Sequence, residues 1–316
     1  MQFLRLVTER ILLSLLTLLL VSLIIFLMLE ILPGDVASRI LGRDATPESL
    51  AALRLRLHLD EPALLRYGQW LGHLVTGDLG NSLVSDRPIV DVLGQRIFNT
   101  VLLSLYAFVL YLPLTVVPAL LQAVRRDGWL DHGLSVVTLV LLSMPDFLLG
   151  TILLVIFVIV LPLLPAMSLV DETSSPGEYL RAMTLPALTL AIVMAVYAAR
   201  MLRDNLIEVL DSDYVRMAEL KGLSAGRVLL RHALPNAVVP TLNVTALNLA
   251  YLVGGVVVVE KVFSYPGFGG LLVDALQLRD LPLIEVTIMI AASVYIAANL
   301  IADVAAILLN PRLRNG

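Results

Sequence analysis

The side chains that could carry out chemistry are few in this 316-residue chain. The sequence holds no cysteine, which excludes disulfides, thiolate metal sites and cysteine nucleophiles. The histidines do not have the spacing of a metal site; they are His58, His73, His132 and His232. A Gly-x4-Gly-Lys-Ser/Thr phosphate-binding sequence is also missing, which excludes a phosphate-binding loop of that type. These observations argue against an enzyme and against a metal protein.

The other polar candidates stand alone within long apolar stretches. Asp146 follows Pro145, where we expect a kink in the helix because proline has no backbone N–H to donate. Polar side chains inside a membrane are costly and often line a cavity. The candidates for lining a cavity are therefore Asp146, Asn243 and Asn248, with Asn299 and Asp303 further along the chain. Each could instead form an interhelical hydrogen bond that only stabilises packing.

The elements that position these residues are predicted to be membrane helices. Hydrophobic residues make up 59% of the chain and charged residues only 15%, whereas a soluble domain carries about 25% charged residues. The net charge of −4 gives no indication of nucleic-acid binding. Six apolar segments reach the roughly 20 residues needed to cross a bilayer: 10–31, 97–124, 133–161, 182–202, 234–259 and 284–309. Because these runs are continuous rather than alternating, we predict an all-α integral membrane fold with six transmembrane helices.

The distribution of basic residues predicts the topology. Twelve Arg and Lys residues fall in the segments that are cytoplasmic if the N-terminus is inside, and three fall in the two short outside loops. We therefore expect both termini in the cytoplasm. The predicted organisation is residues 1–31 as the N-terminal end and first span, 32–96 as an external periplasmic segment, and 97–316 as the core. The first span is read as retained, because no small-residue cleavage site follows it.

The external segment shows one clear helix start. Thr46 can cap a helix whose first residue is Pro47. Leucines at helical spacing follow, and Tyr67 with Trp70 suits a membrane interface or a partner. A packed cap without ligand contacts is the alternative interpretation.

The most informative stretch is the predicted cytoplasmic loop 204–232 between spans four and five. A short helix is predicted over about 213–221, with Asp211 or Ser212 as its cap and Gly222 in the left-handed conformation that ends it. A second amphipathic helix is expected from about Ser224. A capped helix with apolar side chains available for packing suits docking into a partner's groove, although an ordinary surface turn is the alternative.

This loop resembles the signature of binding-protein-dependent ABC importer permeases, which reads Glu-Ala-Ala, three residues, Gly, nine residues, Ile, one residue, Leu-Pro. The residues that match are Ala218, Gly222, Leu234 and Pro235, whereas Arg216, Met217 and His232 depart from it. The departures are similar to the variant of the peptide/nickel subfamily, which fits 213–233 closely. In order along the chain, the further matches are Leu32-Pro-Gly-Asp35, Leu57-His-Leu-Asp-Glu-Pro62, Gly77-Asp-Leu-Gly-Asn-Ser82, Arg96-Ile-Phe-Asn-Thr100, Glu260-Lys-Val-Phe-Ser-Tyr-Pro-Gly-Phe-Gly269 and Asn310-Pro-Arg-Leu-Arg314.

The resemblance implies one half of the translocation path of an ATP-driven importer in the bacterial inner membrane, most like the first of two permease subunits. The residues expected to line that path are Asp146, Asn243 and Asn248. The implied partners are a second permease, two cytoplasmic ABC ATPases, a periplasmic or lipoprotein solute-binding protein, and membrane lipid. The chain itself would bind no cofactor, since ATP and Mg²⁺ belong to the ATPases. The residues expected to couple this chain to the ATPases are Asp213, Tyr214, Arg216, Ala218, Glu219, Lys221, Gly222 and Leu223.

Two rival functions and the cargo stay open at this point. An ion-coupled secondary transporter would show inverted repeats, broken helices and a paired ion site; no repeat is visible in the sequence, and the capped cytoplasmic loop would be unexplained. An intramembrane enzyme would need a catalytic motif within the spans, and none occurs. The cargo could be a dipeptide, an oligopeptide, an opine, an oligosaccharide or a nickel complex.

Overall fold

The computed structural model describes residues 2–31, 46–56, 61–169 and 175–309, and the regular secondary structure of this part of the chain is helical apart from one isolated β-bridge between Asn81 and Pro88. The helices are α1 (Gln2–Ile31), α2 (Pro47–Arg56), α3 (Ala63–Thr76), α4 (Ile89–Val124), α5 (Trp129–Leu142), α6 (Asp146–Leu154), α7 (Pro176–Leu210), α8 (Asp213–Leu220), α9 (Ala225–Val228), α10 (Leu234–Val262), α11 (Phe268–Leu278) and α12 (Leu281–Leu309). The chain divides into two compact units, Met1–Ile97 with Leu271–Gly316, and Phe98–Gly270.

In the first unit α1 packs along α12 and also contacts α3. The aromatic rings of Tyr67 and Trp70 on α3 lie 5.4 Å and 6.5 Å from the ring of Phe26 on α1, and the Tyr67 hydroxyl shares a hydrogen bond of 2.8 Å with Ser22. These two aromatic residues therefore hold α3 against the first span. Thr46 caps α2 as predicted, because its Oγ1 accepts a hydrogen bond from the backbone N–H of Ser49.

The second unit is built around α7, which is the most extensively buried helix of this unit and packs against α5, α6 and α10. Helix α7 begins with a complete capping box, in which the Ser175 side chain accepts from the Glu178 N–H and the Glu178 carboxylate accepts from the Ser175 N–H. Its inward positions are dominated by Ala, Leu and Met, and small alanine side chains let the neighbouring helices approach closely.

Among the described residues, four helices are long and apolar enough to cross a membrane: Thr8–Glu30, Ile89–Val124, Pro176–Leu210 and Leu281–Leu300. They correspond to the predicted spans one, two, four and six. The predicted fifth span coincides with α10, a continuous helix of 29 residues. The all-helical membrane fold is thus confirmed, and the count of six spans stays a prediction.

The predicted third span, 133–161, is not one straight helix. Helix α5 ends at Leu142, α6 begins at Asp146, and the two are bent by 112° before the chain continues as a π-helix over Val155–Val160. A kink was expected at Pro145, but the bend is far larger than a proline kink within one helix. With this bent pair counted as one span, the described residues hold five.

Candidate functional site

Helix α8 lies in the predicted loop and is short and strongly amphipathic. Val215 is fully buried, Ala218 is 7% exposed, and both pack against Val228 of α9. Two buried residues three positions apart define one face of a helix. The inner face of α8, which includes Ala218, is therefore packed against its own chain.

Ser212 precedes the first residue of α8, and Gly222 follows its C-terminal end. Ser212 occupies the N-cap position, but its hydroxyl donates to the carbonyl of Val209 at 2.5 Å and makes no capping hydrogen bond. At the other end Gly222 has φ +77°, which is the left-handed conformation that glycine adopts without strain. Its N–H donates to the carbonyl of Glu219 at 2.8 Å.

The outer face of α8 presents large apolar side chains to the surroundings. Tyr214 is 51% exposed, Met217 55% and Leu220 76%, and these positions follow each other at intervals of three residues. Charged residues flank this stripe, and they are Asp213, Arg216, Glu219 and Lys221, all exposed. Leu223 is half-buried and packs against the same small cluster as Val215.

One side-chain contact is made just before α8, at Asp211, and a second is made by α8 itself, at Tyr214. Arg126, in the turn after α4, donates to both carboxylate oxygens of Asp211 at 2.9 Å and 2.7 Å, and this bond raises the pKa of the Arg126 guanidinium. The Tyr214 hydroxyl and His232 Nδ1 share a hydrogen bond of 2.9 Å, and their rings meet edge to face at 5.8 Å. The end of α7 is thus linked to the α4–α5 turn, and α8 itself is linked to the π-helical turn that leads into α10.

The chain between α8 and α10 is helical but not a separate amphipathic helix as expected. Helix α9 has only four residues and leads into a π-helical turn, Leu229–Ala233, that merges with α10. Pro235 explains the wider turn, since it has no N–H for the carbonyl of Arg231 and its ring crowds that carbonyl. At the other boundary, residues 204–210 of the predicted loop are the last two turns of α7.

The path candidates lie elsewhere in the second unit. Asp146 at the bend accepts a hydrogen bond from the Tyr251 hydroxyl of α10. Asn248 donates to the carbonyl of Met194 on α7 at 3.1 Å, a contact that stabilises packing, and Asn243 is exposed. In the first unit Asn299 donates to the carbonyl of Tyr295 within its own helix. The side chain of Asp303 lies outside the described residues.

Three buried carboxylates were not singled out by the sequence reasoning. Asp131 is 2% exposed, Glu260 is fully buried and Asp280 is 1% exposed. Asp280 and Asp131 belong to no predicted motif, whereas Glu260 opens a predicted one, which was the signal available for it. Among the residues described, no group of three or more His, Asp or Glu side chains could hold a metal ion.

The amino-acid sequence of this chain matches the profiles of known membrane components. Residues 112–315 match the profile of the binding-protein-dependent transport system inner membrane component, and residues 3–104 match the N-terminal profile of such membrane components. A Brucella abortus (strain 2308) protein named as a peptide transport system permease is 36% identical over 309 residues, 98% of each chain. The glutathione transport system permease protein GsiC of Escherichia coli (strain K12) is 35% identical over 298 residues, 94% of this chain and 95% of the relative.

Proposed function

This chain belongs to the family of binding-protein-dependent transport system inner membrane components, and we propose on that premise that α8 is the element through which partner ATPases drive it. The chain is a transmembrane permease of a binding-protein-dependent importer of the peptide/nickel type. ATP-driven closure of an ATPase dimer must reach the membrane through a stiff element with two positions. Helix α8 supplies such an element.

The observation that carries the proposal is the division of α8 into two faces. Val215 and Ala218 are buried against their own chain, while Tyr214, Met217 and Leu220 present an apolar stripe outward. A helix that is fixed on one side and apolar on the other suits a groove on a partner, with its anchors at helical spacing. The flanking charges Arg216 and Glu219 would supply polar contacts at the rim of that groove.

The assembly proposed around this chain contains a second permease, two ABC ATPases and a periplasmic or lipoprotein solute-binding protein. The six apolar segments support six spans in the inner membrane, and the distribution of basic residues supports both termini in the cytoplasm and α8 on the cytoplasmic side. ATP and Mg²⁺ would be used by the ATPase subunits.

The cargo class proposed is di- and oligopeptides or similar solutes. Its support is the naming of relatives for peptide and glutathione transport. The path would be lined by Asp146 at the bend between α5 and α6, together with Asn243 and Asn248. Asp146 is the strongest of the three, because a half-buried carboxylate beside a break between apolar helices is costly without a function.

A charge placed on the outer face of α8 tests the coupling role. Leu220→Glu should abolish co-purification of the ATPases from mild detergent and peptide uptake, while the second permease still co-purifies. Leu230→Glu is the matched control, because Leu230 is also an exposed leucine but lies outside α8. Full recovery of ATPases and normal uptake with Leu220→Glu would refute the proposal. Recovery of the native chain without any ATPase in several detergents would instead favour an ion-coupled carrier.

A further inference from the structure

The end of α10 carries a buried carboxylate that joins three segments of the second unit. Glu260 is fully buried. Its Oε1 accepts a hydrogen bond of 2.5 Å from the Thr100 hydroxyl on α4, and its Oε2 accepts one of 2.7 Å from the backbone N–H of Gly270. The Thr100 Oγ1 in turn accepts from the N–H of Phe268 at 2.7 Å. Residues 263–270, here called the Glu260 turn, are therefore bonded to both helices through one carboxylate and one hydroxyl.

Asn99, the residue before Thr100, forms further hydrogen bonds between α4 and the Glu260 turn. Asn99 on α4 donates from Nδ2 to the carbonyl of Pro266 at 2.8 Å, and the Tyr265 hydroxyl donates to the carbonyl of Asn99 at 2.8 Å. Burial raises the pKa of that hydroxyl, and the nearby Glu260 carboxylate raises it further. The Tyr265 N–H also donates to the carbonyl of Glu260 at 2.8 Å. The Glu260 turn thus has α4 and α10 as fixed neighbours along most of its length.

Two glycines show how closely the turn is built around the carboxylate. A Cβ at Gly267 would lie 1.9 Å from Glu260 Oε1, and a Cβ at Gly269 would lie 2.8 Å from the Cα of Val257. Real Cβ atoms do not approach other atoms so closely. Neither position can carry a side chain unless Glu260 or the backbone of α10 moves. The Pro-Gly-Phe-Gly sequence is therefore matched to Glu260 in shape as well as in hydrogen bonding.

We propose that Glu260 is a positioning residue of the import cycle, which makes the Glu260 turn, the part of α4 around Thr100 and the end of α10 move as one rigid body. A buried carboxylate is strongly destabilised when its donors are removed. The Glu260 turn, α4 and α10 therefore have no low-energy conformation in which they are separated. Transport needs helices of a permease to change their relative positions. The elements joined by Glu260 are excluded from that change. The inference uses the membership of the permease family and does not depend on the role of α8.

Pairs of spin labels can test this in the complete transporter in lipid nanodiscs. The chain has no native cysteine, so labelled cysteines can be introduced directly at Ser264 in the turn and at Leu105 on α4, both exposed. We expect one narrow distance distribution that is the same in the resting and the vanadate-trapped states. A change of this distance between the two states of the native chain would overturn the proposal, since turn and helix would then move separately.

Substitution of Thr100 separates positioning from simple stability. Thr100→Val keeps the shape but removes the donor to Glu260 and the acceptor for Phe268, so the distance distribution should broaden and peptide uptake should fall about thirtyfold, as expected for two lost hydrogen bonds. Thr100→Ser keeps the hydroxyl and should restore both. Gly267→Ala, which displaces Glu260, should reproduce the broadening. Two results for Thr100→Val would show a purely structural role and refute the proposal. One is a distance distribution that stays narrow while the amount of folded transporter falls. The other is reduced uptake without a broader distance distribution.

Discussion

The Ser82 hydroxyl donates a hydrogen bond of 2.5 Å to Oδ2 of Asp280, although 198 residues separate the two in the chain. The same carboxylate accepts from the backbone N–H of Leu83 at 3.1 Å and of Val84 at 3.4 Å. Ser82 ends the Gly77–Ser82 motif, and Asp280 directly precedes α12. Within the first unit, one buried carboxylate therefore joins the segment after the first span to the beginning of the last helix.

Removal of Asp280 should cost more stability than removal of its partner. Asp280→Ala leaves a buried hydroxyl and the N–H of Leu83 without their acceptor, and we expect a loss of about 3 kcal/mol in the free energy of unfolding. Ser82→Ala removes one bond and should cost about 1–2 kcal/mol. Denaturation of both purified variants in the same detergent measures the difference. Equal losses would show that the backbone N–H bonds to Asp280 contribute nothing.

The conformation of Gly222 predicts a local effect on α8. An alanine at φ +77° is strained by roughly 1 kcal/mol, so Gly222→Ala should speed hydrogen exchange of the α8 amides about fivefold. Gly226 lies in α9 with open space where a methyl group would be added, so Gly226→Ala is the matched control and should leave exchange unchanged or slower. Equal exchange in the two variants would exclude strain at Gly222.

The Tyr214–His232 hydrogen bond predicts a change in coupling efficiency. Tyr214→Phe keeps the ring but removes the bond to the start of α10, a loss of about 1 kcal/mol. If α8 drives α10 through this contact, the number of peptides imported per ATP should fall about fivefold while ATPase activity persists. Tyr197 is similarly exposed on α7, and Tyr197→Phe serves as the control. An unchanged transport ratio in Tyr214→Phe would assign the driving contact to the packing of Val215 and Ala218 instead.

Two ion pairs in the second unit should differ in their contribution to stability. Asp131 is buried and accepts from Arg203 at 2.8 Å and 2.5 Å, so Asp131→Asn should cost about 2–4 kcal/mol, toward the lower end because Arg203 is partly exposed. Arg126 and Asp211 form an exposed pair, and Arg126→Gln should leave the unfolding midpoint unchanged. Similar midpoints for both variants would contradict this ranking.

The proposed topology predicts the behaviour of a reporter fused after Gly316. An enzyme that is active only in the periplasm should be silent there, whereas the same enzyme fused at Ser85, in the segment after the first span, should be active. Activity at residue 316 would place the C-terminus outside and would remove α8 from the cytoplasm.

The sequence predicted the long helices well because their signal is local. A run of about 20 apolar residues in a bilayer has no alternative to a helix, since its backbone polar groups need internal partners. Helix α8 was also predicted closely, as 213–221 against Asp213–Leu220, because Gly222 marks its end. The features that the sequence did not predict depend on contacts with neighbouring residues. The Ser212 hydroxyl donates to the carbonyl of Val209 instead of capping α8, and the bend at Pro145 reaches 112°.

The buried carboxylates show why the rest of the site needed the structure. Glu260 and Thr100 are 160 residues apart, and nothing in the spacing of either motif reveals that the two share a hydrogen bond. The motifs of the resemblance marked Asn99, Thr100 and Glu260 separately. Only the folded structure shows that these residues of α4 and α10 meet in one hydrogen-bonded contact.

Helix α7 has 35 residues, so it is about 52 Å long at 1.5 Å per residue. The hydrocarbon core of a bilayer is about 30 Å thick, so roughly 20 Å of this rod must project beyond it. Helix α8 follows the end of α7 after only two residues. For a rod of this length, a tilt of about 5° around one end displaces the other by about 4–5 Å. If the ATPases act on α8 as proposed, α7 would serve as a lever, because a rotation of about 5° within the membrane would move its cytoplasmic end by nearly one helical turn.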